Sequence, residues 1–387
     1  MPLSFYIHIP YCVKRCGYCD FNTYTPNELQ SGSDSVDSVS QGYIDALIGE
    51  IAMAKQRLGG REISTIFFGG GTPTLLPAAH LGQVLRSLKE NFGISDDCEI
   101  TTEANPDSVD ARSLVELRAV GFNRISFGLQ SVKEHVLKVL DRTHDSSRVA
   151  EVVNAARSAG FESISVDLIY GTPGESLEDF RESLEFALSL PIDHLSAYAL
   201  IVEQGTRFGA AVRRGEILMP NDDETAEKYL MLDQRMSAAG MPWYELSNWS
   251  KVGHECRHNQ AYWRSDDWWG VGAGAHSHLA GERWWNLKHP NTYIQTILAG
   301  NTPSAGSESL NAQEQATENL MLQIRMREGL AWESFSAAQQ EQLAGFYSRA
   351  LFQDDAWRQG RVVLSLEGRL LADQVVRELL ISIDDNI

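Results

Sequence analysis

Long apolar runs, an excess of basic charge and scattered cysteines are all missing from this sequence. No uninterrupted apolar stretch approaches the about 18 residues of a membrane-spanning helix, so none is expected. Lysine and arginine total 33 against 52 aspartates and glutamates, a formal net charge of −19. That excludes phosphate neutralisation as a general basis for nucleic-acid binding, and broad attraction to anionic lipid, while leaving room for a local docking patch. The opening Met1-Pro2-Leu3-Ser4-Phe5 has neither the basic segment nor the apolar core of a secretory signal. The thiols are therefore expected to be reduced, in a cytoplasmic setting. What the chain does have is length, 387 residues, and 43% hydrophobic residues. That suits one large domain and a smaller one, and argues against wholesale disorder.

Three of the five cysteines, Cys12, Cys16 and Cys19, fall within eight residues. They follow a short strand-like run, Phe5–Ile9. Three thiolates on one loop suit three irons of a cuboidal iron–sulfur cluster and leave the fourth iron open for a substrate or second cofactor. Zinc remains an alternative reading. A structural zinc site needs a fourth ligand, and His8 is the nearest candidate.

Thr25 to Gln41 is polar and reads as a solvated loop. A helical pattern covers Tyr43–Leu58. Strand and helix then alternate: Thr65–Phe68, Pro77–Asn91, Glu99–Glu103, Val109–Val120, Arg124–Gly128, Glu134–Leu140 with Ser147–Ala159, Ser163–Tyr170, Leu177–Leu190 and His194–Leu200. Six such units predict an α/β fold with a parallel sheet and right-handed crossovers. The number six favours an incomplete barrel; pattern alone also allows an open doubly wound sheet. Ligand groups belong at the C-terminal strand ends. There stand the cysteine loop, Gly69-Gly70-Gly71-Thr72, Glu103, Gln130 and Asp167.

These residues, with Ala104-Asn105-Pro106 after Glu103 and with Arg142, resemble the radical S-adenosylmethionine (SAM) superfamily. The likeness is strongest to its branch around oxygen-independent coproporphyrinogen III oxidase, and it runs along nearly the whole chain. The resemblance implies a partial (βα)6 barrel over residues 1–220, a barrel extension over 221–302, and a mainly helical C-terminal domain of the oxidase type over 303–387. It implies that Cys12, Cys16 and Cys19 ligate a 4Fe-4S cluster whose open iron is chelated by SAM. It also implies that Tyr6, Tyr18, Gly70, Gly71, Thr72, Glu103, Gln130, Arg142 and Asp167 contact SAM. Glu103 would pair with the ammonium, Arg142 with the carboxylate and Asp167 with the ribose, and the Ala199 backbone would meet the adenine. The implied chemistry is reductive cleavage of SAM to methionine and a 5′-deoxyadenosyl radical.

Two departures separate this chain from the oxidase. Phe21 stands where the oxidase has a fourth cysteine, and the first strand lies almost at Met1, where the oxidase carries an extension. Both point to the haem chaperone branch. His258-Asn259-Gln260-Ala261-Tyr262-Trp263 resembles the HNxxYW motif of that branch, and seven of nine tryptophans lie between Trp243 and Trp285. By composition alone this region reads as packed core. The motif makes His258 the first candidate for a haem ligand, with His254 and Cys256 nearby. The run Gly272-Ala273-Gly274-Ala275-His276-Ser277-His278 reads as a flexible stretch able to close over a cofactor. Cys98 has no assignment. The resemblance further implies haem as cargo, respiratory haem proteins as recipients, visits to the inner face of the membrane and a homodimer, with no nucleic-acid partner. The remaining alternative is the oxidase itself. Past about Thr302 the barrel pattern stops. Glu314–Met326, Trp332–Asp354 and Leu370–Leu380 read as helices, and Val362–Leu366 as a strand.

Overall fold

The computed structural model describes residues 2–29, 36–142 and 145–384. The polar loop expected at Thr25–Gln41 lies partly outside them. Within the described part, the helix Val36–Leu58 begins before that loop's expected end.

Six strands carry the architecture: β1 (Leu3–Ile9), β2 (Glu62–Gly70), β3 (Gly93–Ala104), β4 (Arg124–Gln130), β5 (Ser163–Tyr170) and β6 (His194–Ala199). They lie side by side in chain order, each parallel to the next. A doubly wound sheet would reverse its order about the first strand. This sheet never reverses, so successive right-handed crossovers keep their helices on one face and curl the sheet into a partial barrel. That settles the choice left open by the strand–helix pattern.

The alternation along each strand explains the curl. In β1, Leu3, Phe5, Ile7 and Ile9 are fully buried among the helices. Ser4, Tyr6 and His8 face the other way, into the concave interior. There Ser4 accepts a hydrogen bond from Thr65 of β2, and Tyr6 bonds to His8. The convex face is the hydrophobic core, and the concave face is a polar-lined trough.

Both edges of the sheet are extended. β7 (Trp243–Glu245) and β8 (Asn248–Ser250) form a hairpin that adds to β6. On the other side β9 (Asp267–Val271) runs parallel to β1, followed by an antiparallel meander of β10 (His276–Leu279), β11 (Glu282–Asn286) and β12 (Ser304–Ser309). The resulting twelve strands begin at β12 and end at β7, so the sheet is open. The barrel pattern does not stop at Thr302. β12, Ser-Ala-Gly-Ser-Glu-Ser, is an exposed edge without an apolar residue larger than alanine, so periodicity gives no sign of it.

The C-terminal region has its own core, built on the helices Ala312–Gln323, Ala337–Ser348 and Ala372–Asp384. Two expectations change here. Trp332–Asp354 is not one helix: a 3-10 turn at Trp332–Ser334 and a break after Ser348 divide it. The strand expected at Val362–Leu366 shrinks to Arg361–Val362, paired with Leu330–Ala331, and Leu366 already opens the short helix Leu366–Leu370. Ser365 caps that helix through Gly368 N, and a local cap overrides β propensity. Among the described residues no helix is long and apolar enough to cross a membrane.

Candidate cofactor site at the strand ends

The cysteine loop leaves the end of β1 and is tied back over the barrel mouth. Cys12 N donates to Tyr24 O at 3.0 Å, and Tyr24 N to Pro10 O at 2.7 Å. Cys12, Cys16 and Cys19 are free thiols, each half-buried. Burial pushes Cys12 up to about 11 and Cys19 in the same direction, so thiolates here need a cationic partner. Cys12 Sγ lies 3.9 Å from Thr72 Oγ1. The zinc alternative loses its fourth ligand. The His8 ring turns into the trough, bonding to the Tyr6 hydroxyl at 3.0 Å and to Asn22 O at 2.9 Å.

The glycine motif follows β2 because the chain must pass close to its neighbours. A Cβ on Gly70 (φ 108°) would lie 2.3 Å from His8 Cε1, and one on Gly71 would lie 2.5 Å from Tyr11 O. Gly70 N donates to Glu103 Oε2 at 3.1 Å. Burial, and then the Asp167 carboxylate, raise Glu103 to about 7. Asp167, raised by burial, accepts from Ser126 Oγ at 2.9 Å. Gln130 ends β4 in the left-handed region (φ 61°), strain that a side chain adopts only when held.

Arg142 follows Asp141, also left-handed at φ 56°. Its Nε is buried without a protein partner, and a Cβ on Gly128 would sit 2.9 Å from its Nη2. Tyr18 lies beside it. Burial raises the Tyr18 hydroxyl to about 12, against the opposing pull of Arg142. An orphaned guanidinium nitrogen, two carboxylates, a glycine cradle and three unpaired thiols around one mouth form a donor set that fits a cluster and an amino acid-bearing cofactor. Ala199 closes β6 opposite Tyr170 and makes no side-chain polar contact.

Sequence reasoning missed Asp141 and Asn22, and weighed His8 only as a zinc ligand. Asp141 bonds to Lys14 at 3.2 Å and to Arg207, pinning the cysteine loop. His8 shares a strand face with Tyr6, a period-two signal that could have revealed it. Asn22 ties the loop to the second half of the chain, donating to Ala273 O at 3.0 Å and Lys288 O at 2.8 Å. Nothing in its local sequence marks it.

Two expectations fail on geometry. His258 does not join the cysteine loop. It lies in the first turn of a short helix, Arg257–Trp263, that plugs the trough toward the N-terminal strand ends, and is 1% exposed. Its ring bonds to Thr65 Oγ1 at 2.8 Å and Tyr262 OH at 2.9 Å, and burial lowers it to about 3. It is a satisfied core histidine with no free nitrogen for iron. His254 bonds to Ser163, and Cys256 faces Glu99 within the same plug. The glycine run is not flexible either. Gly272 N donates to Glu50 Oε2 at 2.8 Å and Ala273 N to Tyr43 OH at 2.8 Å, while Asn286 bonds Gly272 O at 2.9 Å. These glycines serve close approach: a Cβ on Gly272 would meet His8 O at 2.7 Å.

Comparison with known proteins bears on the family and the fold. The family model of the radical SAM superfamily matches residues 6–187. The chain is 44% identical over 379 residues to the haem chaperone HemW of Mycobacterium tuberculosis, covering 98% of this chain and 95% of that one. It is 35% identical over 379 residues to HemW of Bacillus subtilis, covering 96% and 97%. Among solved structures, coproporphyrinogen III oxidase (HemN) from Escherichia coli, a radical SAM enzyme, superposes with a TM-score of 0.81 at 24% identity. That match covers 100% of this chain and 91% of the other, and shows the shared fold.

Proposed function

The chain belongs to the radical SAM superfamily and, within it, to the HemW family, and from that premise we propose that it binds haem and hands it to respiratory haem proteins. The observation that carries this is the 44% identity to a haem chaperone along 98% of the chain. Phe21, 61% exposed beside the cysteine loop, supports it over porphyrinogen oxidation, because a phenyl ring cannot replace a thiolate.

We assign Cys12, Cys16 and Cys19 to three irons of a 4Fe-4S cluster. Gly70, Gly71 and Thr72 would admit the SAM backbone, Glu103 its ammonium and Arg142 its carboxylate. Tyr6, Tyr18, Gln130, Asp167 and the Ala199 backbone would line the remainder. When bound, the cluster and SAM supply one-electron chemistry at the mouth. The protein's part is to hold them. Asp141 fixes the loop, and the plug around His258 closes the trough from below. In this reading residues 1–220 form the core barrel. The extension runs to the end of β12, somewhat past 302, and the C-terminal domain follows. The protein works in the cytoplasm, with peripheral visits to the membrane and a homodimer as further parts of the proposal.

Anaerobic reconstitution followed by haem titration tests this. Stoichiometric binding seen in the Soret region is expected. No binding would sink the proposal, and release of carbon dioxide from coproporphyrinogen would favour the oxidase instead.

A further inference from the structure

We propose that His276 offers an axial nitrogen to the haem iron, with the macrocycle set across the edges of the stacked His276 and Trp285 rings, beside the shelf that Trp285 makes over Gly306. This rests on the haem-binding reading above and replaces His258 as the ligand.

His276 opens β10 and is exposed. Among the described residues its ring makes no hydrogen bond, in contrast to His8, His194, His258 and His278. It is register partner to Trp285 on β11, and the two rings stack with centroids 5.9 Å apart and planes 28° apart. Trp285 in turn pairs with Gly306 on β12. A Cβ at 306 would lie 2.6 Å from Trp285 Cζ2, so glycine is what lets the indole lie flat there. Three neighbouring strands thus present imidazole, indole and bare backbone in a row. The register sets them on the face that carries Tyr6 and Gly270, the concave one.

The charge pattern suits an amphipathic dianion. Lys288 is exposed and enters no ion pair among the described residues. Arg283, two residues before Trp285 on the same face, is held by Glu308 and Glu318. Partial burial, then Lys288 and Arg283, keep His276 below its ordinary value against the opposing Glu308 carboxylate. It therefore meets iron as a neutral imidazole, the form that donates a lone pair with no proton to release. Lys288 is the group placed for a propionate. The shelf also adjoins the cluster side. Asn22 donates to Lys288 O and Ala273 O, and Phe21 immediately precedes it. Haem seated here would lie between the meander and the cysteine loop.

The test is haem titration of the reconstituted full chain, wild type against His276→Gly, His258→Ala and Trp285→Ala. His276→Gly is expected to lose the imidazole-ligated haem spectrum and to bind at least about tenfold more weakly. Added imidazole should restore the spectrum, a readout that a merely structural role would not move. Trp285→Ala should weaken binding but keep the imidazole signature. His258→Ala should keep the spectrum while lowering the melting temperature. If His276→Gly binds haem with wild-type spectrum and affinity, or if His258→Ala alone abolishes ligation while remaining folded, the assignment is overturned. If wild type itself binds no haem, the fault lies in the functional reading.

Discussion

Arg369 of the short helix Leu366–Leu370 joins the C-terminal domain to the barrel. Its guanidinium donates to both oxygens of Asp233, at 2.6 and 2.7 Å, where both side chains are buried. It also lies 4.4 Å from the Trp243 ring centroid. Arg369→Met keeps most of the stem and removes the charge. The Asp233 carboxylate is then left buried with one donor, the Trp249 indole nitrogen at 3.0 Å. Stranding one partner of a buried pair costs about 3–5 kcal/mol. Removing both charges with Asp233→Leu and Arg369→Met takes away the uncompensated ion and leaves an orphaned indole N–H, worth about 1–3 kcal/mol. The double variant should therefore be more stable than Arg369→Met alone by about 2 kcal/mol, which is non-additive behaviour. Urea denaturation followed by tryptophan fluorescence reads this directly, because Trp243 and Trp249 flank the pair. The transition to follow is that of the C-terminal unit, since two domains need not unfold together. Strictly additive losses, or a loss under about 1 kcal/mol for Arg369→Met, would refute the argument that this ion pair holds the domains together.

Gly70→Ala should weaken SAM binding at least about thirtyfold by equilibrium dialysis, because the new Cβ meets the His8 ring at 2.3 Å on a backbone with φ of 108°; unchanged affinity would remove Gly70 from the site. Burial raises the Glu50 carboxyl from 4.5 to about 7. Between those values the folded state holds a proton that the unfolded chain has lost, so this stability is full below about pH 4.5 and disappears as pH rises through about 7, on the order of 3 kcal/mol. Glu50→Gln should flatten that slope in denaturation curves taken across the window, and an unchanged slope would contradict the assignment.

The strand-end residues were legible because a parallel barrel repeats one geometry. Each strand ends at the same rim, so Gly70, Glu103, Gln130 and Asp167 announce themselves by position as much as by type. Where the rule of repetition fails, so does the reading. β12 carries no apolar period and is invisible, although Gly306 within it matters. The tryptophans read as one group from sequence, yet the pleat divides them. Trp249, Trp269 and Trp284 are buried in the core, while Trp268 and Trp285 share the register of the concave face. One residue of register separates Trp284 from Trp285 and puts them on opposite faces. No count of aromatics could make that distinction.

The same logic bears on the HNxxYW segment. Its histidine and the neighbouring cysteine engage Thr65, Glu99 and Tyr244 through buried contacts, with His258 N and Arg257 N both donating to the Glu99 carboxylate. A carboxylate at a helix N-terminus is a strong and local fastening. It locks the plug to β2 and β3, the strands that carry Gly70 and Glu103 near their C-terminal ends. Phe67 stacks on His258 with centroids 5.2 Å apart, and Tyr6 lies 6.5 Å from the same ring. Disturbing the plug therefore moves Tyr6 and the strands beneath the cofactor rim before it touches any surface open to a macrocycle. A loss of haem transfer on mutating His258 would by itself be ambiguous between ligand and support. The melting temperature and the haem spectrum, read on the same variant, separate the two. A support residue changes the first and spares the second.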